Sequence, residues 1–401
     1  MHFNAFLPPL TSRLPLSSHP PATCQSPFRP MPRSLRRSTR PVPTRVQTPA
    51  ATLDQTPSRS PSVTITPTRR HQLANFIRAG PVFQKAGLLL REEPGCTTEL
   101  NGTCLDDWIE LGAILEDALG DQSNDTRVYE YYLPVYFWIL RELDIHQDNV
   151  HARGQKQRPF ILGFCCPQGG GKTTMTTFIE TLLNQMGRTV QVASLDDFYV
   201  TNAEQRAIAS KHPSNRLLQY RGMPGTHDLE LLNSCLDALR KGRQVSIPRY
   251  DKTAFDGRGD RAPKENWKQV GGGGVDVVLL EGWCLGFEPI PIDGLMDEDL
   301  EVVNDALCDF IKMYTRIDGM FVIEIANMEW VYDWRLQAER ATMAAGRPGL
   351  SDEQVIDFVG RFMPAYKQYS KPLYERETPL FPKHELHIQI DENRKPIHPS
   401  V

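Results

Sequence analysis

The chain has 401 residues, with 45 Lys and Arg against 49 Asp and Glu, and a formal net charge of -4 at pH 7. This length can form two ordinary domains or one large α/β domain with additions. The slightly acidic balance does not indicate a nucleic-acid-binding protein, and no apolar run reaches the ~18–20 residues of a membrane span. We therefore expect neither a nucleic acid nor a membrane as partner.

The first residues differ in composition from the rest of the chain. Between Met1 and Ala51 there are many Arg, Ser, Thr and Pro residues but no Asp or Glu, and the first acidic residue is Asp54. This segment lacks the long apolar stretch of a secretory signal, whereas an Arg-rich, acid-free start is typical of an organelle transit peptide. We expect residues 1–70 to be a disordered transit peptide and linker leading to a chloroplast or mitochondrion. A disordered basic tail of a cytoplasmic protein is the alternative.

Residues 71–155 are predicted to form a helical N-terminal region. Apolar residues recur at helical spacing over Leu105–Leu119, and Val128–Leu143 is dense in aliphatic and aromatic residues, which indicates a buried helix that contains Pro134. This region carries no catalytic signature, so we expect it to pack against a second domain that spans residues 156–401.

The most informative stretch is Pro159–Thr174, in which an apolar strand runs into three glycines, a lysine and two threonines. This is the layout of a phosphate-binding P-loop, although a glycine-rich turn would look similar. Glycines let the backbone wrap around an anion, and the N-terminus of the following helix directs N–H groups at it. Lys172 is expected to reach the phosphates and Thr173 to ligate Mg²⁺. Cys166 replaces the first glycine of the strict motif, which a small residue permits if its φ is negative. The predicted ATP-binding residues are Gln168, Gly169, Gly170, Gly171, Lys172, Thr173 and Thr174.

Apolar strands alternate with helical patterns after this loop. The alternation predicts a doubly wound α/β fold, in which helices cover both faces of a mostly parallel sheet. Ligands bind at the carboxyl ends of the strands in such sheets, and the loop, Asp196 and Glu281 all follow strand ends. The predicted strands are Pro159–Phe164, Val190–Leu195, Val275–Leu280, Met320–Ile325 and Leu386–Ile390.

Acidic residues follow the second and third of these strands. Asp196 can orient a substrate hydroxyl and accept its proton during phosphoryl transfer, while the adjacent Asp197 could instead cap a helix. Glu281 ends an apolar strand, which is the arrangement of a carboxylate that acts on Mg²⁺ directly or through water. A capping carboxylate is the alternative for Glu281.

The loops between these acidic residues are rich in Gly, Pro and Arg, which suits recognition of a small anionic substrate, although solvated surface loops are the alternative. An Arg guanidinium binds a carboxylate at two points, whereas Lys acts as a point charge. Arg335 would approach the transferred phosphoryl group if its helix closes as a lid, and an exposed Arg on an amphipathic helix is the alternative. The candidate substrate-binding residues are Asp197, Tyr199, Arg221, His227, Asp228, Arg249, Tyr250, Arg258 and Arg261.

This ordered set of motifs resembles the D-glycerate 3-kinases of plants and cyanobacteria, within the P-loop kinases that include phosphoribulokinase and uridine kinase. The resemblance runs from about Pro159 to Arg394, in the order of the family. The matching segments are Pro167–Thr174, Leu195–Tyr199, Gly225–Asp228, Pro248–Lys252, Gly257–Ala262, Leu280–Trp283, Trp334–Glu339 and Phe362–Lys367.

The resemblance implies ATP-dependent phosphorylation of the 3-hydroxyl of D-glycerate, the last step of photorespiration inside the chloroplast. Asp196 occupies the position of the likely base of the related uridine kinases, and Asp197 replaces their Ser. The alternatives are a P-loop kinase of another small hydroxylated substrate, and a non-catalytic nucleotide-dependent regulator that binds a protein partner through residues 71–155. The sequence leaves the oligomeric state open.

Overall fold

The computed structural model describes residues 65–100, 102–271, 273–346, 349–381 and 384–398. Nearly all of the predicted transit peptide therefore lies outside the described residues. The first helix, α1 (Pro67–Ala79), begins three residues before the expected boundary at residue 70. A proline in the first turn and an N-cap hydroxyl from Thr66, which accepts from the Arg69 N–H, account for this start.

The region before the sheet contains helices where the apolar spacing indicates them. A π-helical turn at Thr126–Tyr132 runs directly into a long α-helix at Leu133–Ala152, so the helix expected at Val128–Leu143 consists of two joined segments. Pro134 comes directly after the π-helical turn and has no N–H to donate to the helical hydrogen bonds at this junction. The elements of this region after α1 are α2 (Pro81–Lys85), β1 (Leu90–Arg91), β2 (Thr103–Cys104), α3 (Leu105–Leu119), a 3₁₀ turn (Gly120–Gln122), the π-helical turn and α4 (Leu133–Ala152).

A six-stranded sheet forms the centre of the fold. The strands after the N-terminal region are β3 (Phe160–Cys165), β4 (Val190–Ser194), β5 (Val245–Ile247), β6 (Tyr250–Asp251), β7 (Asp260–Arg261), β8 (Lys268–Val270), β9 (Val277–Gly282), β10 (Gly319–Ile325), β11 (Glu385–Ile390) and β12 (Pro396–Ile397). The order across the large sheet is β12-β11-β10-β3-β9-β4, and β12 alone within it is antiparallel to its neighbour. The chain winds from β3 to one side and later to the other, which confirms the doubly wound fold. The pairs β5–β8 and β6–β7 form small antiparallel sheets.

Helices separate the strands of the sheet. The helix after the glycine loop buries Met175, Ile179, Leu182 and Leu183, the face that the 3.6-residue period predicts. Within the described ranges, no helix is long and apolar enough to cross a membrane. These helices are α5 (Lys172–Gln185), α6 (Asn202–Lys211), α7 (Leu229–Arg240), α8 (Leu300–Tyr314), α9 (Trp330–Ala344), α10 (Asp352–Gly360) and α11 (Met363–Tyr374). Shorter 3₁₀ turns cover Leu195–Phe198, Arg216–Leu218, Lys264–Asn266 and Ile292–Gly294.

The register of the three strands β3, β9 and β4 aligns their carboxyl ends. Glu281 on β9 is paired with Phe164 on one side and with Ser194 on the other. Because β9 is hydrogen-bonded on both sides, it extends to Gly282, two residues past the end that the sequence predicts. The glycine loop after β3, Glu281 on β9 and the acidic residues after β4 therefore start from the same edge of the sheet.

The helical region and the sheet share one hydrophobic core among the described residues. Trp138 of α4 packs on Phe321 of β10 with ring centroids 6.3 Å apart. The buried Glu142 also connects the two, because its carboxylate contacts Arg141 Nη2 at 3.0 Å and His384 Nδ1 at 2.6 Å, just before β11. The contact with His384 thus connects α4 to the segment that leads into β11.

Candidate active site

The glycine loop between β3 and α5 depends on its glycines for both conformation and space. Gly169 has φ 80° and Gly171 has φ 93°, values at which residues with a Cβ are strained. A Cβ on Gly169 would lie 2.6 Å from Trp334 Cβ, and one on Gly170 would lie 2.7 Å from Cys166 Sγ. The loop thus packs tightly on its inner side, with its backbone exposed at the start of α5.

Side chains from three separate elements hold this loop in place. The backbone N–H of Gln168 donates to Tyr366 Oη of α11 at 3.0 Å. Arg394, in the turn after β11, donates from Nε to the carbonyl of Gly169 at 2.7 Å and lies over the indole of Trp334 at 4.9 Å. These contacts come from the chain itself, and they fix the backbone of the loop in one conformation.

Cys166, the irregular residue of the motif, is a structural thiol. It is fully buried, its φ is not positive, and burial raises the pKa of its thiol to about 12. Its Sγ donates to the carbonyl of Pro167 at 3.3 Å, and the neighbouring Cys165 is also a free cysteine. A neutral thiol against Gly170 is a packing element, because reactive cysteines are partly exposed and ionised.

Lys172 and Glu281 meet at the aligned strand ends. Lys172 Nζ lies 3.0 Å from Glu281 Oε1, and the other carboxylate oxygen of Glu281 is buried with no hydrogen-bond partner among the described residues. Thr173, in the first turn of α5, is exposed. An unsatisfied carboxylate oxygen and an exposed hydroxyl are hard oxygen ligands that suit Mg²⁺, which usually takes few protein ligands and completes its shell with phosphates and water.

Asp196 is an ionised carboxylate with two partners. Lys252 Nζ lies 2.6 Å from its Oδ2, and the Tyr199 hydroxyl donates to its Oδ1 at 2.8 Å. Burial acts to raise the pKa of Asp196, but the Lys252 ammonium, with help from Lys172 and Tyr199, lowers it to about 2. Asp196 therefore stays charged at physiological pH and reaches solvent beside the loop.

Asp197 binds the backbone of another segment and has a different role from Asp196. Its Oδ1 accepts a hydrogen bond from the backbone N–H of Tyr250 at 3.0 Å, and burial raises the pKa of its carboxyl group. Asp197 thus fixes the start of β6, the strand that precedes Lys252, close to the end of β4. Through this contact it positions the ammonium that faces Asp196.

Four predicted substrate-binding residues come together in one wall of the site. The rings of Tyr199 and His227 stack with centroids 4.6 Å apart. Arg261 Nη2 donates to the carbonyl of Tyr199 at 2.9 Å and to Asp228 Oδ2 at 3.0 Å. Burial lowers the pKa of His227 to about 4, and neither of its ring nitrogens has a partner in the described part of the chain. His227 is therefore a neutral, unsatisfied histidine next to an arginine.

Two other arginines of the predicted set contact loop residues. Arg221 donates from Nη1 to the carbonyl of Gly257 at 2.8 Å and to that of Arg258, and its guanidinium lies 5.4 Å from the ring centre of Tyr250. Arg258 lies over the ring of Tyr220 at 5.0 Å. In this conformation Arg221 stabilises the turn that carries Arg258.

The last two predicted arginines, Arg249 and Arg335, differ in the contacts that their side chains make. The Arg249 side chain is exposed and its positive charge acts to lower the pKa of Asp197, while its backbone carbonyl accepts from the Ala262 N–H at 2.8 Å. Arg335 forms an ion pair with Glu339 within α9 and lies over the ring of Phe358 at 5.5 Å. Arg335 directly follows Trp334, which packs on Gly169, but its side chain contacts Glu339 and Phe358 rather than the glycine loop.

Several residues around the site carried no functional prediction. Lys252, Tyr366 and Trp334 lie in motifs that the resemblance includes, but no sequence pattern pairs them with Asp196 or the loop. A cavity of about 250 Å³ opens on another side of the loop and involves the helical region, where no catalytic signature was found. Its walls are Arg127, Tyr131, Tyr132, Gly169, Gly170, Gly171, Thr174 and Arg394.

Known proteins share both the sequence and the fold of this chain. Residues 161–385 match the Phosphoribulokinase / Uridine kinase family. The chain is 39% identical over 341 residues to a D-glycerate 3-kinase, chloroplastic, of Arabidopsis thaliana, covering 81% of this chain and 72% of the relative. It is 42% identical over 276 residues to an uncharacterized kinase of Schizosaccharomyces pombe, covering 64% of this chain and 99% of that kinase.

A solved structure has the same fold over its whole length. The D-glycerate 3-kinase from Cryptococcus neoformans var. grubii superimposes with a TM-score of 0.60 at 28% sequence identity, covering 66% of this chain and 97% of that chain. About a third of this chain thus lies outside the superposition on the fungal structure.

Replacing Lys252 by Gln is expected to raise the pKa of Asp196 above its value of about 2. The variant loses the ammonium that lowers this pKa, while the burial that raises it remains. Carbon-13 NMR titration of the carboxyl signals measures this shift, and Asp196→Asn identifies the signal. Lys241→Gln, at the exposed end of α7, is the control and should leave the titration unchanged. An identical midpoint in Lys252→Gln and the unmodified protein would contradict the ion pair.

Proposed function

The chain belongs to the phosphoribulokinase/uridine kinase family, and from this premise we propose that it transfers the γ-phosphoryl group of Mg·ATP to the 3-hydroxyl of D-glycerate. One observation carries the proposal: a preorganised phosphate loop with Lys172 stands at the same sheet edge as the ionised Asp196. The choice of glycerate is supported by the relatives from Arabidopsis thaliana and Cryptococcus neoformans, both of which are named D-glycerate 3-kinases.

The loop and its lysine are proposed to hold the nucleotide phosphates. The backbone N–H groups of Gly169–Gly171 and the N-terminus of α5 favour an anion, and Lys172 adds a full positive charge. Thr173 and the unsatisfied oxygen of Glu281 are the groups that would hold Mg²⁺. When bound, Mg·ATP supplies the phosphoryl group and part of the neutralising charge. Lys172 then has phosphate oxygens to contact in addition to Glu281.

Asp196 is proposed to orient the acceptor hydroxyl and to take its proton. As the bond from the acceptor oxygen to phosphorus forms and the bond from phosphorus to ADP breaks, the hydroxyl proton moves to a carboxylate oxygen of Asp196. A carboxylate of such low pKa is a weak base, so its main contribution is orientation, with proton transfer late in the reaction. Displacing Lys252 from Asp196 would strengthen the base.

The glycerate carboxylate is proposed to bind an arginine beside Asp196. Arg261 has a buried Nε with no partner among the described residues, and Arg249 has an exposed side chain. Both flank β6, which also leads to Lys252. Arg258, Arg221, Tyr250 and the wall of Tyr199, His227 and Asp228 complete the acceptor side, while Arg335 would neutralise charge at the transferred phosphoryl group once its pair with Glu339 opens.

The test of this function is a panel of acceptors on protein that lacks residues 1–64. We expect ADP release with D-glycerate and Mg·ATP, and much less with L-glycerate, pantothenate, uridine or ribulose 5-phosphate, because an arginine that binds a carboxylate at a fixed distance from Asp196 selects a short hydroxy acid. ADP release with another acceptor and none with glycerate would make this a kinase of different substrate. ADP binding without any acceptor would favour a nucleotide-dependent regulator.

Replacing Asp196 by Asn keeps the shape of the site but removes its charge and its proton acceptor. We expect the turnover number to fall by on the order of 10²–10⁴, while the dissociation constant for ADP, measured by calorimetry, stays within about twofold. Asp256→Asn is the matched control, because Asp256 is exposed in the loop after Lys252 and its left-handed backbone suits Asn. Near-normal turnover of Asp196→Asn would remove Asp196 from the mechanism.

We also propose that the enzyme works in the chloroplast, where the product would enter carbon metabolism after photorespiration. The Arg-rich, acid-free start of the chain and the chloroplastic relative support this location. Residues 1–70 fused to a fluorescent protein are expected to direct it into plastids in leaf cells. Mitochondrial fluorescence would reassign the compartment, and diffuse cytoplasmic fluorescence would make the segment a basic tail.

A further inference from the structure

The cavity beside the glycine loop has two arginines in its walls, and both lie outside the family match at residues 161–385. Arg127 comes from the π-helical turn that precedes α4, and Arg394 comes from the turn between β11 and β12. Neither guanidinium forms an ion pair with a carboxylate in the described ranges. Two full positive charges therefore stand next to a loop whose backbone already favours anions.

The surroundings of these arginines offer only neutral hydrogen-bond partners. Arg127 Nη1 donates to the carbonyl of Gln122 at 3.2 Å, and Arg394 donates to Gln337 Oε1 at 3.3 Å and to the carbonyl of Gly169 at 2.7 Å. Burial and the positive charge of Arg127 both lower the pKa of Arg394. The two guanidiniums are thus close enough to repel each other, and an anion between them would relieve the repulsion.

The backbone that presents each arginine is also unusual. Arg394 has φ 62°, a left-handed conformation that is rare and costly for a long side chain. The turn is held by Asp391, whose carbonyl accepts from the Arg394 N–H at 2.9 Å. Arg127 lies in a π-helical turn, a form that is rare and is found frequently at functional sites. Strain of this kind persists where the arrangement has a use.

The cavity is on a different side of the loop from the proposed transfer site. Its walls include Gly169–Gly171 and Thr174, but not Lys172, Glu281 or Asp196. The γ-phosphoryl group is assigned to the side of Lys172, so the part of the nucleotide that remains as ADP must extend along another side of the same loop. An elongated polyanion that crosses the loop would place its inner phosphates near the two arginines.

We infer that Arg127 and Arg394 bind the inner phosphates of the nucleotide, so that the helical region before the sheet is part of the nucleotide site. The inference rests on the proposed function for the nature of the ligand. The π-helical turn then has a role beyond packing, because it places the Arg127 guanidinium beside the glycine loop. Tyr131 and Tyr132, which are buried beside Arg127, fix the turn in place.

The experiment measures ADP binding by calorimetry to Arg127→Gln, Arg394→Gln and the double variant. Each single substitution is expected to raise the dissociation constant of ADP about tenfold, the effect of one charge-assisted hydrogen bond, and adenosine binding should not change. Arg153→Gln is the control, since Arg153 is exposed at the end of α4 and does not line the cavity. A change in ADP binding no larger than that of the control would overturn the inference.

Thermal melting separates ligand binding from a purely structural role. Because the two arginines repel each other in the free protein, Arg127→Gln should leave the melting temperature of the ligand-free protein unchanged or higher. Arg394→Gln does not serve in this comparison, since Arg394 also donates to Gly169 and contacts Trp334. The upward shift that ADP produces should shrink. A lower melting temperature without ADP, with an unchanged ADP-induced shift, would show that Arg127 only supports the fold.

A chemical measurement covers the case in which a variant fails to fold. In the unmodified protein, ADP is expected to protect Arg127 and Arg394, but not Arg153, from phenylglyoxal, as mass spectrometry of the peptides would report. Equal modification with and without ADP would overturn the inference. None of these readouts needs an acceptor, so they can support the inference even if glycerate proves to be the wrong substrate.

Discussion

The register between β3 and its neighbour β9 is the constraint on which the site depends. Side chains cannot reach one phosphate from different strands unless the strands end at the same level. Pairing of Phe164 with Glu281, and of Glu281 with Ser194, meets this condition for the loop, the metal-binding candidate and Asp196 at once. A slip of one residue would turn Glu281 to the other face of the sheet. The pairing of the strands in the core therefore also determines the geometry of the site.

The charges of the site are paired with one another before any substrate arrives. Lys172 contacts Glu281, Lys252 contacts Asp196, and Arg335 contacts Glu339. Each pair avoids an isolated charge in a partly dry site, yet each includes a group that the proposed reaction needs. A bound nucleotide with its metal ion can replace the partners within these pairs. Binding would then also free the site's lysines, arginine and carboxylates to act on the substrate. The exception is the arginine pair at the loop, Arg127 and Arg394, for which no described carboxylate forms an ion pair.

The strands, the helices and the glycine loop could be predicted because they depend on local sequence patterns. Strand and helix periods located the doubly wound sheet to within about two residues at the strand ends, and the glycine loop followed from the residues that its backbone requires. Contacts between distant segments could not be predicted. Lys252 contacts Asp196 from a segment that Asp197 binds through Tyr250, and Tyr366 contacts Gln168 across 198 positions of the chain. The roles proposed for the substrate-binding residues remain predictions.

A functional role for Arg127 could not be predicted from the sequence. The apolar and aromatic residues that follow it, Val128 to Tyr132, are mostly buried, so the sequence pattern there indicates packing against a core and does not mark Arg127 as a ligand-binding residue. It reaches the loop because Glu142 connects α4 to the segment that leads into β11 and because the π-helical turn changes the direction of side chains relative to an α-helix. A region that serves only as a scaffold has no need to place an unpaired cation beside a phosphate loop. The helical region is thus better understood as a component of the nucleotide site than as an appendage to it.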